Sequence, residues 1–281
     1  MTRSSDAPRV SVVIPAYNNA RDIRSAIDSV LAQDYADYEL VVADHASTDG
    51  TSAILEDYRD LPRVRVLAPT PAGGGALANW SRVTAHARGD LLKLVCGDDL
   101  ITPDALRRQV AAFDTNPDVV MVATRRNLID ASGHQLLAAR GLAGLQGCLP
   151  GHEAAKISIL AGTNVFGEPA CVLLRRDILQ EEGGWDGRFP YLIDQATYSR
   201  VLMRGNFVAI PEVMASFRIS AGQWSVRLTR EQSQQAIAFH EYFASAHAGL
   251  LSAAELRRGN RHARWMAHVR RIAYAWLRRR M

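Results

Sequence analysis

Lysine is nearly absent from this chain of 281 residues, because only Lys93 and Lys156 among its 33 basic residues are lysine. Arginine therefore carries almost all of the positive charge, yet the formal net charge is only +4. An arginine bias of this kind reflects codon composition as readily as it reflects function. We therefore predict no nucleic-acid partner.

Cysteine and long apolar runs are also scarce. The three cysteines, Cys96, Cys148 and Cys171, are odd in number and lack metal-ligand spacing, which indicates a reducing compartment. The first nine residues lack the apolar core of a signal peptide. No run approaches the roughly 18 apolar residues of a spanning helix. We therefore expect a cytoplasmic protein, with contact to the inner face of a membrane left open.

Two nucleotide-binding motifs are missing as well. Neither G-x-G-x-x-G nor G-x-x-x-x-G-K-[ST] occurs, so neither a dinucleotide fold nor a P-loop is supported. The composition is nevertheless that of an ordinary globular protein, with 48% hydrophobic and 22% charged residues. The length suits one large or two small domains.

Short apolar runs alternate with helical patterns in the first half of the chain. The β-branched run at residues 10–14 predicts a buried strand, and residues 38–43 and 64–67 predict two more. Apolar side chains at helical spacing over residues 23–31 predict a helix between the first two strands. This alternation predicts an α/β fold with a mostly parallel sheet flanked by helices.

The second half has a weaker pattern. Glycines between residues 125 and 151 indicate loops or a mobile flap, and residues 207–210 and 213–217 predict edge strands on either side of Pro211. We divide the chain into an α/β half at 1–124, a second half of the same domain at 125–220, and a basic helical extension at 221–281.

The acidic pair Asp98–Asp99 follows the apolar run at residues 91–95 and precedes a helix that opens near Asp104. Ligands of open α/β sheets bind at the carboxyl ends of strands. Two adjacent carboxylates there can hold Mg²⁺ or Mn²⁺. A solvated acidic turn before a helix explains the pair equally well.

The basic C-terminal segment has a helical stripe of its own. Trp265, Val269, Ile272 and Trp276 share one side, and arginines lie away from it. This pattern is typical of an interfacial helix. A helix packed on its own domain, with its arginines facing water, explains the pattern about as well.

Five motifs in order resemble the family 2 glycosyltransferases, which have a GT-A fold, over residues 9–220. Residues 10–18 look like the opening strand with its P-x-Y-N turn, and residues 44–51 look like D-D-x-S-x-D-x-T. Residues 73–90 are similar to the segment G…A-x-N…A-x-G-[DE]. Residues 96–99 take the place of the D-x-D-D metal motif, and residues 183–194 resemble G-G-[FW]-D…[ED]-D.

The resemblance implies inverting transfer of a sugar from a nucleoside diphosphate sugar, of UDP or dTDP type, to a hydroxyl of a saccharide or lipid-linked acceptor. It implies Mn²⁺ or Mg²⁺ as cofactor, donor binding by 1–124, acceptor binding by 125–220, and a place in surface polysaccharide or glycolipid assembly. The implied donor-binding residues are Pro15, Tyr17, Asn18, Asp44, Gly97 and Asp98. The implied metal ligands are Asp98 and Asp99, the catalytic residue is Asp194, and the acceptor-binding residues are Glu168, Trp185 and Trp224.

These roles agree with the chemistry of the side chains. Asp44 can accept the imide N–H of a uracil-like base, and Tyr17 can pack against that base. Asp194 can remove the proton of an acceptor hydroxyl. Without the resemblance, the better interpretation of Asp194 is a helix N-terminal carboxylate that accepts backbone N–H groups.

Three positions depart from the family pattern. His45 replaces a second aspartate, Cys96 replaces the first aspartate of the metal motif, and Ile193 replaces the acidic residue before the base. We interpret Cys96 as a tolerated replacement because Asp98 and Asp99 remain. The departures leave a non-catalytic nucleotide-sugar binder as one alternative. A nucleotidyltransferase is another, since a similar scaffold can carry metal-binding carboxylates.

Overall fold

A computed structural model of the chain describes residues 7–71, 73–219, 228 and 231–277. For residues 276 and 277 it describes the backbone alone. The strands are β1 (Val10–Ala16), β2 (Tyr38–Asp44), β3 (Val64–Leu67), β4 (Leu91–Leu94), β5 (Leu100–Ile101), β6 (Val119–Ile129), β7 (Gln135–Arg140), β8 (Gly147–Pro150), β9 (Val172–Arg175) and β10 (Asn206–Arg218). The helices are α1 (Ile23–Leu31), α2 (Thr51–Glu56), α3 (Gly75–Ala85), α4 (Ala105–Thr115), α5 (Gly151–Ala161), α6 (Arg176–Glu181), α7 (Ile193–Leu202), α8 (Gln232–Ala246) and α9 (Ala253–Leu277). A short 3-10 helix covers Pro169–Cys171.

The described strands form one sheet in the order β3-β2-β1-β4-β9-β6-β10-β5, with β7 added to β6 and β8 added to β10. The first four strands of this order are parallel, as the alternating pattern predicts. Every residue of β1 and β2 is buried, as expected for strands covered on both faces. Ala16 lies opposite Asp44, so the carboxyl ends of β1 and β2 meet at one edge.

The other half of the sheet is mixed, because β9 runs antiparallel between β4 and β6. The prediction of loops over residues 125–151 is wrong. In the structure β6 continues to Ile129 and pairs with β7, and β8 pairs with β10. Most of β7 is exposed to solvent, so it lacks the apolar alternation that marks a half-buried strand.

The two predicted edge strands around Pro211 are one interior strand, β10, which pairs with β6, β5 and β8. Its register against β6 shifts between Ile210 and Val213. A bulge of this kind accommodates a proline, which has no N–H to donate.

Two helices form the predicted C-terminal extension. The helix α9 packs against α8 and α5, and its Ala263 and Ala267 are buried in that contact. None of the helices in the described ranges is both long enough and apolar enough to cross a membrane.

Candidate active site

The carboxyl ends of β1 and β2 are joined by hydrogen bonds to the Ala16 carbonyl oxygen. It accepts the backbone N–H of His45 and the side-chain amide of Asn79, each at 3.0 Å. Pro15, which was predicted to bind the donor, is a buried residue of β1 opposite Ala43. These contacts fix the edge where the predicted donor-binding residues lie.

Asp44 ends β2 and is only 2% exposed. Its carboxylate accepts the hydroxyls of Ser47 and Ser52 and, at 3.3 Å, the Ser47 backbone N–H. A carboxylate offers about four acceptor positions, so roughly one remains for a ligand. The geometry thus leaves Asp44 the capacity to accept one further N–H.

The exposed Tyr17 and the buried His45 lie close together just after the ends of β1 and β2. The Tyr17 side chain is 51% exposed, and its ring centroid lies 6.5 Å from that of His45. His45 Nε2 is 2.6 Å from the Gly73 carbonyl oxygen, and Nδ1 is 3.2 Å from Thr70 Oγ1. Because a carbonyl only accepts, Nε2 carries the proton. His45 therefore ties the glycine loop to the end of β2, a structural role that a second aspartate could not fill in the same way.

Asn18 and Gly97 lie in neighbouring turns of this edge. Asn18 has a positive φ of 50°, and its Oδ1 accepts the Thr48 N–H at 2.8 Å. A Cβ placed on Gly97 would lie 2.6 Å from Asn19 Oδ1. That same oxygen accepts the Tyr17 N–H at 2.8 Å. Glycine at position 97 thus lets the turn after β4 approach the turn after β1.

Residues far apart in sequence meet around Cys96. Burial, followed by the charges of Asp99, Asp98, Asp194 and Glu168, holds the pKa of the Cys96 thiol well above its ordinary value. The structure therefore brings four predicted carboxylates, two of the metal motif and two of the second half, into one acidic cluster. The thiol stays protonated there, and a protonated thiol is a poor metal ligand.

Asp98 and Asp99 have different environments. Asp98 is partly exposed, whereas Asp99 is fully buried and its Oδ1 accepts the Arg218 N–H at 3.1 Å. Burial and the charge of Asp98 hold the pKa of Asp99 well above its ordinary value. Asp99, predicted as a metal ligand together with Asp98, is thus a buried residue held by the end of β10.

The residues present fit a metal site that the donor completes. The described residues include no group of three or more His, Cys, Asp or Glu side chains arranged around one metal position. Mg²⁺ in phosphate-binding sites is held by one or two carboxylates together with substrate phosphates. Asp98 supplies the first carboxylate, and the buried Asp99 Oδ2 has no hydrogen-bond donor among the described residues.

Asp194 lies in the first turn of α7 and is partly buried. Its Oδ2 accepts the Asn164 side-chain amide at 2.8 Å, and its Oδ1 accepts the Gln195 N–H at 2.7 Å. Burial raises the pKa of Asp194 to about 6, with a further contribution from the charge of Glu168, while both hydrogen bonds oppose the rise. A carboxylate with this pKa can act as a general base near neutral pH.

Glu168 is bound by an arginine that the sequence did not single out. Arg126 Nη2 donates to Glu168 Oε1 at 2.9 Å, and its Nε contacts the other carboxylate oxygen. The pair lies beside Asp194, whose charge acts on the same guanidinium. Glu168 is therefore held in a fixed orientation at the acidic cluster.

Trp185 was predicted to contact an acceptor, and the structure corrects this. Its side chain is only 7% exposed, and its Nε1 donates to Thr84 Oγ1 at 2.8 Å. Its ring lies edge to face with that of Trp80, with centroids 5.0 Å apart. Trp185 thus packs the core beneath the site. The other predicted tryptophan, Trp224, lies outside the described residues.

Sequence reasoning missed Asn164, Arg126 and Arg218. Arg218 Nε lies 3.1 Å from the Asp98 carbonyl oxygen and 3.3 Å from Asp22 Oδ1, so this buried side chain supports the acidic turn. None of the three belongs to a local motif with its partner. The only local signal was the charge of Arg126 within β6, shortly after the buried apolar run at residues 119–123.

Comparison with known proteins agrees with the motif order. The model of Glycosyl transferase family 2 matches residues 11–183. A putative glycosyltransferase, EpsE of Bacillus subtilis (strain 168), is 33% identical over 130 residues, which are 46% of this chain and 47% of that protein. The match thus spans about half the length of that relative.

Two solved structures share the architecture. S. aureus TarS 1-349 in complex with UDP-GlcNAc has a TM-score of 0.67 at 18% identity, over 88% of this chain and 69% of that chain. The mannosyltransferase PcManGT from Pyrobaculum calidifontis, in complex with GDP-Man and Mn²⁺, has a TM-score of 0.63 at 19% identity, over 98% and 77%. At these identities the likeness shows the fold, and it confirms the predicted GT-A architecture.

Proposed function

Because the chain belongs to glycosyl transferase family 2, we propose that it moves a sugar from a nucleoside diphosphate sugar to a hydroxyl group of an acceptor. The observation that carries this proposal is the Asp194 carboxylate, whose pKa is raised to about 6 beside Glu168 and the turn of Asp98. It is a single base facing the side where a diphosphate can be held.

The chemistry is one displacement. Asp194 takes the proton of the acceptor hydroxyl while the hydroxyl oxygen forms a bond to the anomeric carbon. The bond from that carbon to the diphosphate oxygen breaks, and the electron pair leaves with the nucleoside diphosphate. Attack from the face opposite the leaving group inverts the anomeric configuration. The Asn164 amide holds the carboxylate in position through its 2.8 Å hydrogen bond.

The donor half of the site is proposed for residues 1–124. The exposed Tyr17 ring packs against the base, and Asp44 accepts an imide N–H, which favours donors of UDP or dTDP type. The turn containing Gly97 brings Asp98 to the diphosphate. When bound at Asp98, Mn²⁺ or Mg²⁺ supplies charge neutralisation for the departing diphosphate.

The acceptor half is proposed for residues 125–220. Glu168, fixed by Arg126, accepts hydrogen bonds from acceptor hydroxyls next to the one that reacts. Saccharide and lipid-linked acceptors both present such hydroxyls. We place the enzyme in surface polysaccharide or glycolipid assembly, in the cytoplasm.

The experiment follows release of nucleoside diphosphate from UDP-, dTDP- and GDP-sugars with a panel of hydroxyl acceptors. Asp194→Asn keeps the side-chain shape and removes the base, so we expect transfer to fall by roughly 10²–10⁴-fold. Donor affinity, measured by calorimetry, should be nearly unchanged.

Asp177→Asn is the matched control, because Asp177 also lies in the first turn of a helix and accepts the next N–H, at 2.8 Å. Its transfer rate should equal that of the wild type. Release of pyrophosphate would instead identify a nucleotidyltransferase. Donor binding without turnover across the acceptor panel would identify a non-catalytic binder.

A further inference from the structure

The outer face of α9 carries three exposed apolar side chains. Trp265 is 64% exposed, Ile272 is 58% exposed and Val269 is 37% exposed. Their spacing of four and three residues puts them on one side of the helix. A contiguous patch of this kind on a protein surface marks an interaction site.

The opposite face of α9 is fixed against the protein body. Ala263 and Ala267 are buried there, and a Cβ on Gly259 would lie 2.6 Å from the Ile159 carbonyl oxygen. A Cβ on Gly162 would lie 2.2 Å from the Ala263 backbone nitrogen. This close packing prevents the helix from turning its apolar stripe inward.

The charge around the stripe has one sign. The exposed arginines of α9 are Arg257, Arg258, Arg261, Arg264 and Arg271. None of these five has an ion-pair or hydrogen-bond partner in the described ranges. The only acidic residue of α9, Glu255, is paired with Lys156 at 2.9 Å. The outer face of α9 therefore combines exposed apolar side chains with cationic ones that are unpaired among the described residues.

We propose that this outer face, defined by Trp265, Val269, Ile272 and the five arginines, docks on a membrane surface that contains anionic lipids. Tryptophan and aliphatic side chains enter the boundary between headgroups and acyl chains, while guanidinium groups pair with lipid phosphates. The absence of an unpaired carboxylate on this helix removes repulsion from such a surface. The helix lies in the plane of the interface.

The inner face of the same helix reaches the acceptor side of the active site. Arg270 donates to Thr163 Oγ1 at 3.1 Å and lies over the Tyr191 ring at 5.6 Å. The residue after Thr163 is Asn164, which donates to Asp194. Docking through the outer face of α9 would therefore hold the segment of Thr163 and Asn164 at one helix diameter, roughly 10–12 Å, from the lipid surface. Resting on the proposed function, this favours a lipid-linked acceptor.

The test is sedimentation of the full chain with phosphatidylcholine vesicles, with and without phosphatidylglycerol. We expect binding to the anionic vesicles that weakens as salt is raised. Trp265→Ser with Ile272→Ser should weaken it by roughly tenfold or more, because the inserting side chains are lost. Leu137→Ser, at an apolar residue 51% exposed on β7, is the matched control and should leave binding unchanged.

The electrostatic part has its own control. Arg261→Gln, Arg264→Gln and Arg271→Gln together should reduce binding by roughly tenfold or more and flatten its salt dependence. Arg24→Gln, Arg59→Gln and Arg107→Gln together change the charge equally at exposed sites elsewhere, and they should bind like the wild type.

Three results would overturn the proposal. The first is that the protein does not sediment with anionic vesicles, and the second is that vesicle binding falls equally in the α9 variants and their controls. The third is that the protein self-associates without lipid and the α9 substitutions abolish that association. Vesicle binding needs no donor or acceptor. Binding without sugar transfer therefore counts against the proposed function alone, and transfer to a water-soluble acceptor without binding counts against the docking face alone.

Discussion

At the scale of single residues, the proposed reaction depends on the ionisation of Asp194. Its pKa is raised to about 6, chiefly by burial. The carboxylate must be deprotonated to accept a proton, so transfer should rise with pH through about 6 and level off above it. Removal of the Asn164 hydrogen bond leaves the carboxylate less stabilised, and its pKa should rise further.

We therefore predict that Asn164→Ala moves the acid limb of the pH–rate profile to higher pH, with donor affinity unchanged. The measurement is kcat against pH for the variant and the wild type. Asn116→Ala is the control, because Asn116 lies in the turn before β6, at the opposite end of that strand from the site. If the acid limb of the profile stays in place in Asn164→Ala, or moves equally in the control, Asn164 does not position the base.

The sequence predicted residues that belong to motifs and missed those that act across the fold. Asp98 and Asp194 stand in short patterns with their neighbours, and the structure brings both to the acidic cluster. Arg218 meets the acidic turn from the end of β10, 119 residues further along the chain. Trp185 belongs to a recognisable motif, but its side chain is buried. A sequence motif does not show which way a side chain points, so this burial could not be predicted.

At the scale of elements, Lys93 links β4 to the segment that carries Glu168. Its buried Nζ donates to the Ala170 carbonyl oxygen at 2.6 Å and to Gln109 Oε1 at 2.9 Å. Burial lowers the pKa of Lys93 from 10.5 to about 7. Between pH 7 and pH 10.5, Lys93 is therefore protonated in the unfolded chain and neutral in the folded protein. Burial of Lys93 costs no ionisation free energy above pH 10.5, and the protein loses stability as the pH falls from there towards 7.

We predict that the free energy of unfolding rises more steeply with pH in the wild type than in Lys93→Met between about pH 7 and pH 10. The two slopes should differ by up to about 1 kcal/mol per pH unit. Denaturant unfolding at several pH values measures this difference in slope. Lys156→Met is the control, since Lys156 is only partly buried and is paired with Glu255. Parallel pH profiles for the wild type and Lys93→Met would show that Lys93 stays charged in the fold.

The contact between α5 and α9 gives a second prediction at this scale. Gly162 has a φ of +65°, and a Cβ there would meet the Ala263 backbone at 2.2 Å. Gly249 has a φ of +85° with no atom within 4 Å of its Cβ position. Gly249→Ala should lower Tm by roughly 2–4 °C, from left-handed strain alone, and Gly162→Ala by about twice that or more. Equal Tm values for the two variants would show that α9 can shift away from α5.

The elements of the first half could be predicted because buried strands and helices need apolar residues at characteristic spacing, which is visible in the sequence. Val10–Ala16 is buried on both faces and is apolar except for Ser11, and Ile23–Leu31 has one buried stripe. Exposed Gln135–Arg140 has no such pattern. The interior position of Asn206–Arg218 depends on pairings with distant strands, and no local signal distinguishes it from an edge strand.

At the scale of the whole molecule, two surfaces differ in chemistry: the acidic edge of the sheet and the outer face of α9. The carboxyl ends of the parallel strands place Tyr17, Asp44 and Asp98 along one edge of the sheet, and α7 adds Asp194 from the second half. The helix α9 supports that second half from behind and turns its arginines outward. The proposed donor site, base and docking face thus come from successive parts of one chain.

The donor site is tested most directly by calorimetric titration with UDP, dTDP, GDP and CDP, each with and without manganese. We predict metal-dependent binding of one of them, of uridine or thymidine type, that is lost in Asp98→Ala and kept in Asp60→Ala, at an exposed aspartate outside the cluster. The absence of binding for all four nucleotides, with and without metal, would contradict the assignment of this edge of the sheet as a nucleotide-sugar site.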